Sequence, residues 1–288
     1  MNPGVLYAVG AYLCWGFFPL YFRALADVPP LQILAHRMLW SLLLLVLILV
    51  AKRHWRWLGA LRERPAILGR FAISALLLSC NWGIYIWAIN DGHVVDASLG
   101  YYINPLMSVV VGALVLSERL RPAQWAAVAI AAVGVAWMTI AIDRLPWISL
   151  TLALSFSLYG LLRKTAPLGS LEGLALETAV LLPIALSFLL WEGSYGADAF
   201  THGGWRLRLM LMAAGPVTAI PLLLFASAAR RIPLSLLGIL QYLMPTVVLA
   251  LGIWPFHEPF GLNRALGFGL VWAGVAVYLS DALWRLRR

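Results

Sequence analysis

Spacing constrains this chain most. Apolar runs of about 20 residues, the length at which a helix crosses a bilayer, follow one another with only short polar connections between them. Ten such segments are read, at 4–22, 31–51, 70–89, 97–117, 122–142, 146–162, 171–191, 208–229, 235–256 and 262–283. No stretch outside them is long enough for a further domain. Soluble domains are about a quarter charged, whereas 11% charged and 62% hydrophobic side chains could not cover a water-facing surface. An outer-membrane barrel would alternate apolar and polar residues over roughly ten positions, and the continuous run Met38 to Ala51 excludes it. The expected class is an all-α integral membrane protein, because a helix satisfies its own backbone in lipid.

The net charge of +9 raises nucleic acid as a partner only until its distribution is read. With the N-terminus in the cytoplasm, inner connections hold fifteen Lys and Arg and outer ones five, Arg23, Arg144, Arg206, Arg208 and Arg264, with Arg37 inside a segment. The positive-inside rule then places both termini in the cytoplasm of a multi-pass protein of the cell inner membrane. The basic excess is topology, so the expected partners are the lipid bilayer and a small-molecule substrate, with no nucleic acid. Met1-Asn2-Pro3-Gly4 has no positive n-region, and the first segment reads as a retained helix. Cys14 and Cys80 fall in apolar runs without CxxC spacing and read as small buried hydrophobes. No metal or cofactor is expected.

Displacing the sequence against itself by 140 residues aligns its halves without a gap from Leu31 over most of each half. Leu31 falls on Leu171, Tyr102 on Tyr242, Pro105 on Pro245, Glu118 on Glu258, and Gly134-Val135-Ala136 on Gly274-Val275-Ala276. Trp15-Gly16 corresponds to Tyr159-Gly160, with the four-residue difference absorbed before the second segment. The two units, 1–142 and 143–288, hold five segments each, and an odd number makes the second enter the membrane upside down. Such inverted repeats frame alternating access in secondary transporters, with the substrate near the midplane between the halves. Channels and some membrane enzymes also carry repeats.

Gly112-Ala-Leu-Val-Leu-Ser-Glu118 with Gly134-Val135, and Gly252-Ile-Trp-Pro-Phe-His-Glu258 with Gly274-Val275, resemble the doubled EamA module of the drug/metabolite transporter superfamily. Ala11-Tyr-Leu-Cys-Trp-Gly16, His36-Arg37-Met-Leu-Trp-Ser41, Asn81-Trp82, Ala97-Ser-Leu-Gly-Tyr-Tyr-Ile-Asn-Pro105 and Leu237-Gly-Ile-Leu-Gln-Tyr242 are similar to the RarD-type permeases, over essentially the whole chain. The resemblance implies ten helices and inner-membrane transport of small metabolites or drugs, in the export direction and with the proton as candidate coupling ion. His257 departs from the module, where a small residue before the glutamate is more typical.

A charge at the bilayer centre costs about 2.5–3.5 kcal/mol on insertion scales, so ionisable residues within the segments are functional candidates. They are His36, Arg37 and Glu177. Arg37 and Glu177 are equivalent in the repeat, yet each lies roughly 9 Å in from opposite faces, which puts them about 12 Å apart in depth. Each then needs its own partner: Asp91 or Asp96 for Arg37, and Arg163, Lys164 or Arg230 for Glu177. Two roles stay open. The charges brace helix ends, or Arg37 attracts an anionic substrate group while Glu177 or His36 carries a proton as access alternates.

The candidate substrate contacts near the midplane are neutral: Asn81, Trp82 and Tyr85 on the third segment, Tyr101, Tyr102 and Asn104 on the fourth, and Gln241 and Tyr242 on the ninth, with Trp15 and Tyr159 adding aromatic faces. Pro105 and Pro245, with Pro19, Pro216 and Pro221, free carbonyls that can line a cavity. Segments one, three, four, six, eight and nine are the expected cavity wall. Amides such as Asn81, Asn104 and Gln241 serve equally well as bonds between helices. Trp55, Trp57, Trp147, Trp191 and Trp205 read as interfacial anchors. Glu118 and Glu258 close their segments just before new helices begin and read as caps on those helices. Small-residue stripes, Ala123-Ala127-Ala131 and Ala265-Gly269-Ala273, suit close helix contact, either sealing the bundle or forming a homodimer face.

Of the rival classes, an intramembrane zinc protease lacks its second histidine, because Gly261 stands where H-E-x-x-H requires it after His257-Glu258. Asp91-Gly-His-Val-Val-Asp96 has metal-ligand residue types but reads as a solvated turn. No nucleophile elbow or Walker loop is present. A channel is the remaining rival, and it predicts flux without saturation.

Overall fold

The computed structural model describes residues 2–91, 93–139, 146–196, 198–254 and 261–286. Fourteen helices and no strand occur among them: α1 (Pro3–Gly16), α2 (Phe18–Arg23), α3 (Pro30–Ala51), α4 (Trp57–Glu63), α5 (Ala66–Asn90), α6 (Val94–Val115), α7 (Pro122–Thr139), α8 (Trp147–Lys164), α9 (Ser170–Ser194), α10 (Ala199–His202), α11 (Trp205–Ala229), α12 (Leu234–Gln241), α13 (Leu243–Ile253) and α14 (Leu262–Leu286). Their starts follow local chemistry. Proline opens α1, α3 and α7, where its missing N–H costs nothing. Asn2 caps α1 by accepting the Gly4 N–H at 2.8 Å.

Eight stretches are long and apolar enough to cross a membrane: Pro3–Arg23, Pro30–Ala51, Ala66–Ala88, Asp96–Val115, Pro122–Thr139, Ser170–Ser194, Trp205–Ala229 and Leu234–Ile253. The other two expected segments are also helices, with a different composition. α8 carries Ser149, Thr151, Ser155 and Ser157, three of them buried, because it packs against α5, α6 and α11. In α14 the apolar part is Ala265–Asp281.

The proline-bearing segments diverge. α6 runs straight through Pro105, whereas the ninth segment parts at Tyr242, between α12 and α13. Pro245 has no N–H to offer the Gln241 carbonyl, and the ladder opens there. The first segment also breaks, at Phe17, and Pro19 lies in the first turn of α2.

Two kinds of contact hold the helices together. One is backbone approach at small residues. At the α7–α14 crossing, a Cβ on Gly134 would lie 2.8 Å from the Gly267 carbonyl and 3.1 Å from Val271 N. One on Gly274 would lie 2.6 Å from the Ala127 carbonyl and 3.0 Å from Ala131 N. Ala127 and Ala131 are buried there, so the α7 stripe seals the bundle. The α14 stripe does not: Gly269 and Ala273 are exposed, and the packed face is Gly267, Val271 and Gly274. The other contact is an aromatic core, where Tyr12, Trp15, Phe156, Tyr159 and Phe225 lie ring to ring, Tyr159 and Phe225 stacked at 5.9 Å between centroids. Cys14 is half-buried and Cys80 exposed, so the expectation that both are buried is corrected. Cys80 lies on the outward face of α5, where a thiol behaves as a small apolar group.

A polar clasp closes the end of the bundle that holds the N-terminus. Glu118 does not cap the helix that follows it. Ser117 adopts a left-handed conformation (φ 54°), the Glu118 N–H returns to the Gly112 carbonyl at 3.1 Å, and the carboxylate is turned across to the start of α12. There its two oxygens accept the N–H groups of Leu234 at 2.6 Å and Ser235 at 2.9 Å. Lys164 Nζ donates to the Ile232 carbonyl at 2.6 Å and lies 4.0 Å from Glu118. Replacing Glu118 by Ala leaves two helix-start amides without acceptors, a cost of about 1–3 kcal/mol. Hydrogen exchange at Leu234 and Ser235 should accelerate in that variant while the α7 and α14 amides stay protected; unchanged exchange at 234 and 235 would refute the clasp. Its repeat equivalent, Glu258, and the neighbouring His257 lie outside the described residues.

Candidate functional site

α3 and α11 run side by side in one direction. Near their starts Gln32 Oε1 accepts the Ala199 N–H at 2.9 Å, and further along Ser41 Oγ donates to the Gly215 carbonyl at 3.1 Å. Gly215 permits this, since a Cβ would run into the backbone of Trp40. Between this pair and α5 and α9 lies a cavity lined by Met38, Ser41, Leu78, Trp82, Leu174, Glu177, Thr178, Leu181, Thr218, Ala219 and Leu222. At about 10 Å³ it has room for one water at most. It stands where the two repeats meet, two of its helices from each.

An acid marks one end of the cavity. Glu177 accepts from Ser74 Oγ at 2.6 Å, from Arg163 Nη1 at 3.3 Å and from the Tyr159 hydroxyl at 3.4 Å. Arg163 and Glu177 are each 1% exposed. Arg163 also donates through Nη2 to the Ser170 carbonyl at 3.0 Å and lies over Phe71. The expected Glu177–Arg163 pairing is therefore present. Arg163, read as a connection residue, is instead buried in the last turn of α8.

Arg37 is not part of the lining, but it touches two residues that are, Trp82 and Thr218, and its charge is settled differently. Arg37 Nε donates to Thr218 Oγ1 at 2.8 Å, and the guanidinium lies 4.4 Å over Trp82 and 5.7 Å from the Phe22 ring. Neither Asp91 nor Asp96 reaches it, which corrects the expected pairing: both acids turn to His93, at 3.3 and 3.6 Å. Among the described residues no carboxylate lies within 4.0 Å of Arg37.

One residue earlier, His36 is 4% exposed and neither ring nitrogen has a hydrogen-bond partner. Its nearest charge is Asp198 Oδ1 at 3.8 Å, and Phe200 covers its ring at 5.3 Å. Asp198 and Phe200 belong to the connection between α9 and α11, which folds over the start of α3. Burial pushes the Asp198 carboxyl up, but the N–H groups of Thr201 and Phe200, both bonded to it as α10's cap, outweigh that and hold it below the usual carboxylate range. Asp198 is thus a permanent anion beside a histidine that carries no bond.

The neutral candidates mostly bind helices together. Asn81 Nδ2 donates to the Leu152 carbonyl and Ser155 Oγ at 2.8 and 2.9 Å, and Asn104 Oδ1 accepts from Ser157 at 2.8 Å. Tyr242 donates to the Tyr102 carbonyl at 3.2 Å, and Gln241 is buried at the α12–α13 break. Tyr85 and Tyr101 pack edge to face at 5.7 Å. Trp15 and Tyr159 are spent in the aromatic core. Only Trp82 lines the cavity, whose walls are the second, third, seventh and eighth segments and not the expected set. The stretches around Pro105, Pro245, Asn104 and Gln241 meet other helices; of the proline-bearing segments expected, α11 with Pro216 and Pro221 does wall the cavity. Thr218, Ser74, Gln32 and Asp198 escaped the sequence reading; the only signal was that Thr218 lies within an apolar run on a helix that must pack centrally. Of the expected anchors, Trp147, Trp191 and Trp205 are at least half exposed and Trp55 is 37% exposed, while Trp57 packs inward with its Nε1 buried.

The whole chain is similar to known transporters. The model of the EamA-like transporter family matches twice, at residues 2–140 and 146–280. Protein RarD of Streptomyces exfoliatus is 50% identical over 287 residues, covering 100% of this chain and 91% of that protein. Protein RarD of Escherichia coli is 39% identical, covering 100% and 97%. A Pseudomonas aeruginosa relative, called chloramphenicol-sensitive protein RarD, is 34% identical over 100% of this chain and 97% of its own length. A solved crystal structure shares the fold with a TM-score of 0.71 at 22% identity, over 96% of this chain and 97% of that one. With two copies of the module in tandem and RarD relatives matched along its full length, the chain belongs to the EamA-like transporter family, as a RarD-type membrane permease.

Proposed function

We propose that the protein is a secondary transporter that exports small metabolites or drugs across the inner membrane by alternating access, and not an enzyme. Ten spans form two inverted five-helix repeats, 1–142 and 143–288, with α8 and α14 as the spans beyond the eight most apolar ones. The carrying observation is the cavity walled by α3, α5, α9 and α11, where α3 corresponds to α9 and α5 to α11 under the repeat. The pairings support the same two-fold relation. Gly134 meets Gly267 and Val271 while Gly274 meets Ala127 and Ala131, which is one contact exchanged between the halves. The clasped end carries Arg121, Lys164, Arg230 and Arg231, part of the basic excess that supports a cytoplasmic side for both termini.

His36, Arg37 and Glu177 are the coupling or gating residues. Protonated His36 would pair with Asp198 and draw the α10 connection onto α3; neutral His36 would release it. In proteoliposomes, chloramphenicol or purine efflux should saturate and respond to an imposed pH gradient. His36→Ala should flatten that response, and Glu177→Gln should slow exchange. Unchanged pH dependence in both variants removes the proton role, and flux without saturation favours a channel.

A further inference from the structure

The two arginines inside the bundle are settled in opposite ways. Arg163 is sealed at 1% exposure with Glu177 as its counter-charge. Arg37 is half-buried, uses only Nε, on the neutral Thr218, and has aromatic faces around it. A cation taken into the membrane without a counter-ion is costly, and the usual relief is for the side chain to snorkel toward the nearer interface. Arg37 does the reverse. Helical side chains lean toward the helix start, yet Thr218 lies three residues past Gly215, the residue that faces Trp40 on α3. The head is turned inward, and Trp82 and Thr218, the groups that hold it, both line the central cavity. The lining also offers Met38, Leu181 and Leu222 as apolar side chains, with Ser41 and Thr178 as neutral polar ones.

We infer that Arg37 is the anion-binding subsite of the transport cavity, and that the substrate is a small organic monoanion, a carboxylate on a flat apolar body. The planar fork of the guanidinium takes two carboxylate oxygens at once, with Nε still anchored on Thr218. The cavity as it stands holds one water at most, so it must widen as access alternates, and Trp82 with the Leu and Met side chains then receives the apolar body. A dianion finds no second cation here, because Arg163 is already matched. This inference rests on the transport reading for its setting and names the substrate class of that site.

The test uses the full-length protein in detergent, with radiolabelled benzoate as probe and benzamide and benzylamine as competitors. Benzoate should bind wild type and raise its unfolding temperature, and benzamide, the neutral isostere, should compete about ten- to hundredfold more weakly, as loss of a charge-assisted hydrogen bond requires. Arg37→Gln should lose benzoate binding by a similar factor. Arg37→Lys, which keeps the charge and loses the fork, should be intermediate, and it carries the comparison if Arg37→Gln does not fold. Equal competition by benzamide, full affinity in Arg37→Lys, or no benzoate binding to wild type overturns the inference. Parallel flux measurements separate it from the transport reading: saturable, Arg37-independent flux of neutral compounds sinks the anion site alone. Arg37-dependent benzoate binding without any flux upholds the site and sinks transport.

Discussion

Arg163→Ala should destabilise the bundle by about 3–5 kcal/mol, the cost of stranding one member of a buried ion pair. Glu177 would keep two neutral donors, Ser74 and the Tyr159 hydroxyl, and lose its only cation. The guanidinium lies tight against α9, since a Cβ on Gly173 would strike Arg163 and Phe71. The pair itself need not be a net stabiliser. Desolvating both charges offsets most of their attraction, and an apolar pair of similar volume is often as stable. The double variant Arg163→Met with Glu177→Leu should therefore recover most of the stability lost in Arg163→Ala. Thermal unfolding of the detergent-solubilised proteins measures this. If the double variant is as unstable as the sum of its singles, the charges are not coupled and the account fails.

What could be read without coordinates is what depends on neighbours in sequence. The apolar period located the ten long segments to within a few residues, though not the short α4 and α10, and the 140-residue offset matched Gly134 to Gly274, which prove equivalent in their contacts. What depends on distant neighbours could not be read. Arg163 and Lys164 look alike at the end of an apolar run; one is buried on Glu177 and the other reaches backbone carbonyls at the bundle end. Glu118 sits before a helix start, as a cap would, but a left-handed residue at 117 aims it at another helix. The amides chosen as ligand contacts are the very groups that lipid forces to bond between helices, so Asn81 and Asn104 are consumed by α8. Apart from Glu177 and Trp82, the cavity wall is Leu, Met, Ala, Ser and Thr, residue types that carry no such signature in an apolar run. Arg37 and His36 were legible because a charge or imidazole in an apolar run is costly wherever it lands, although their partners were not.

Gly134→Leu and Gly274→Leu should each cost about 1–3 kcal/mol, the range for forcing bulk into a packed interface. The obstacle at both sites is backbone: the Gly267 carbonyl and Val271 N for one, the Ala127 carbonyl and Ala131 N for the other. A facing side chain could change rotamer, but these atoms can only retreat by parting α7 from α14. Because the two glycines make the same contact from opposite halves, each substitution should shift the unfolding temperature by a similar amount. The pair combined should cost less than their sum, since the first has already separated the helices. Gly269→Leu is the control. It lies on α14 within two turns of Gly274, faces outward and has nothing within 4 Å of its would-be Cβ, so stability should be unchanged. A Gly269→Leu variant as unstable as Gly274→Leu would mean that the outward face of α14 is itself packed against a second copy, and the sealed α7–α14 pair would lose its place as the interface these glycines serve.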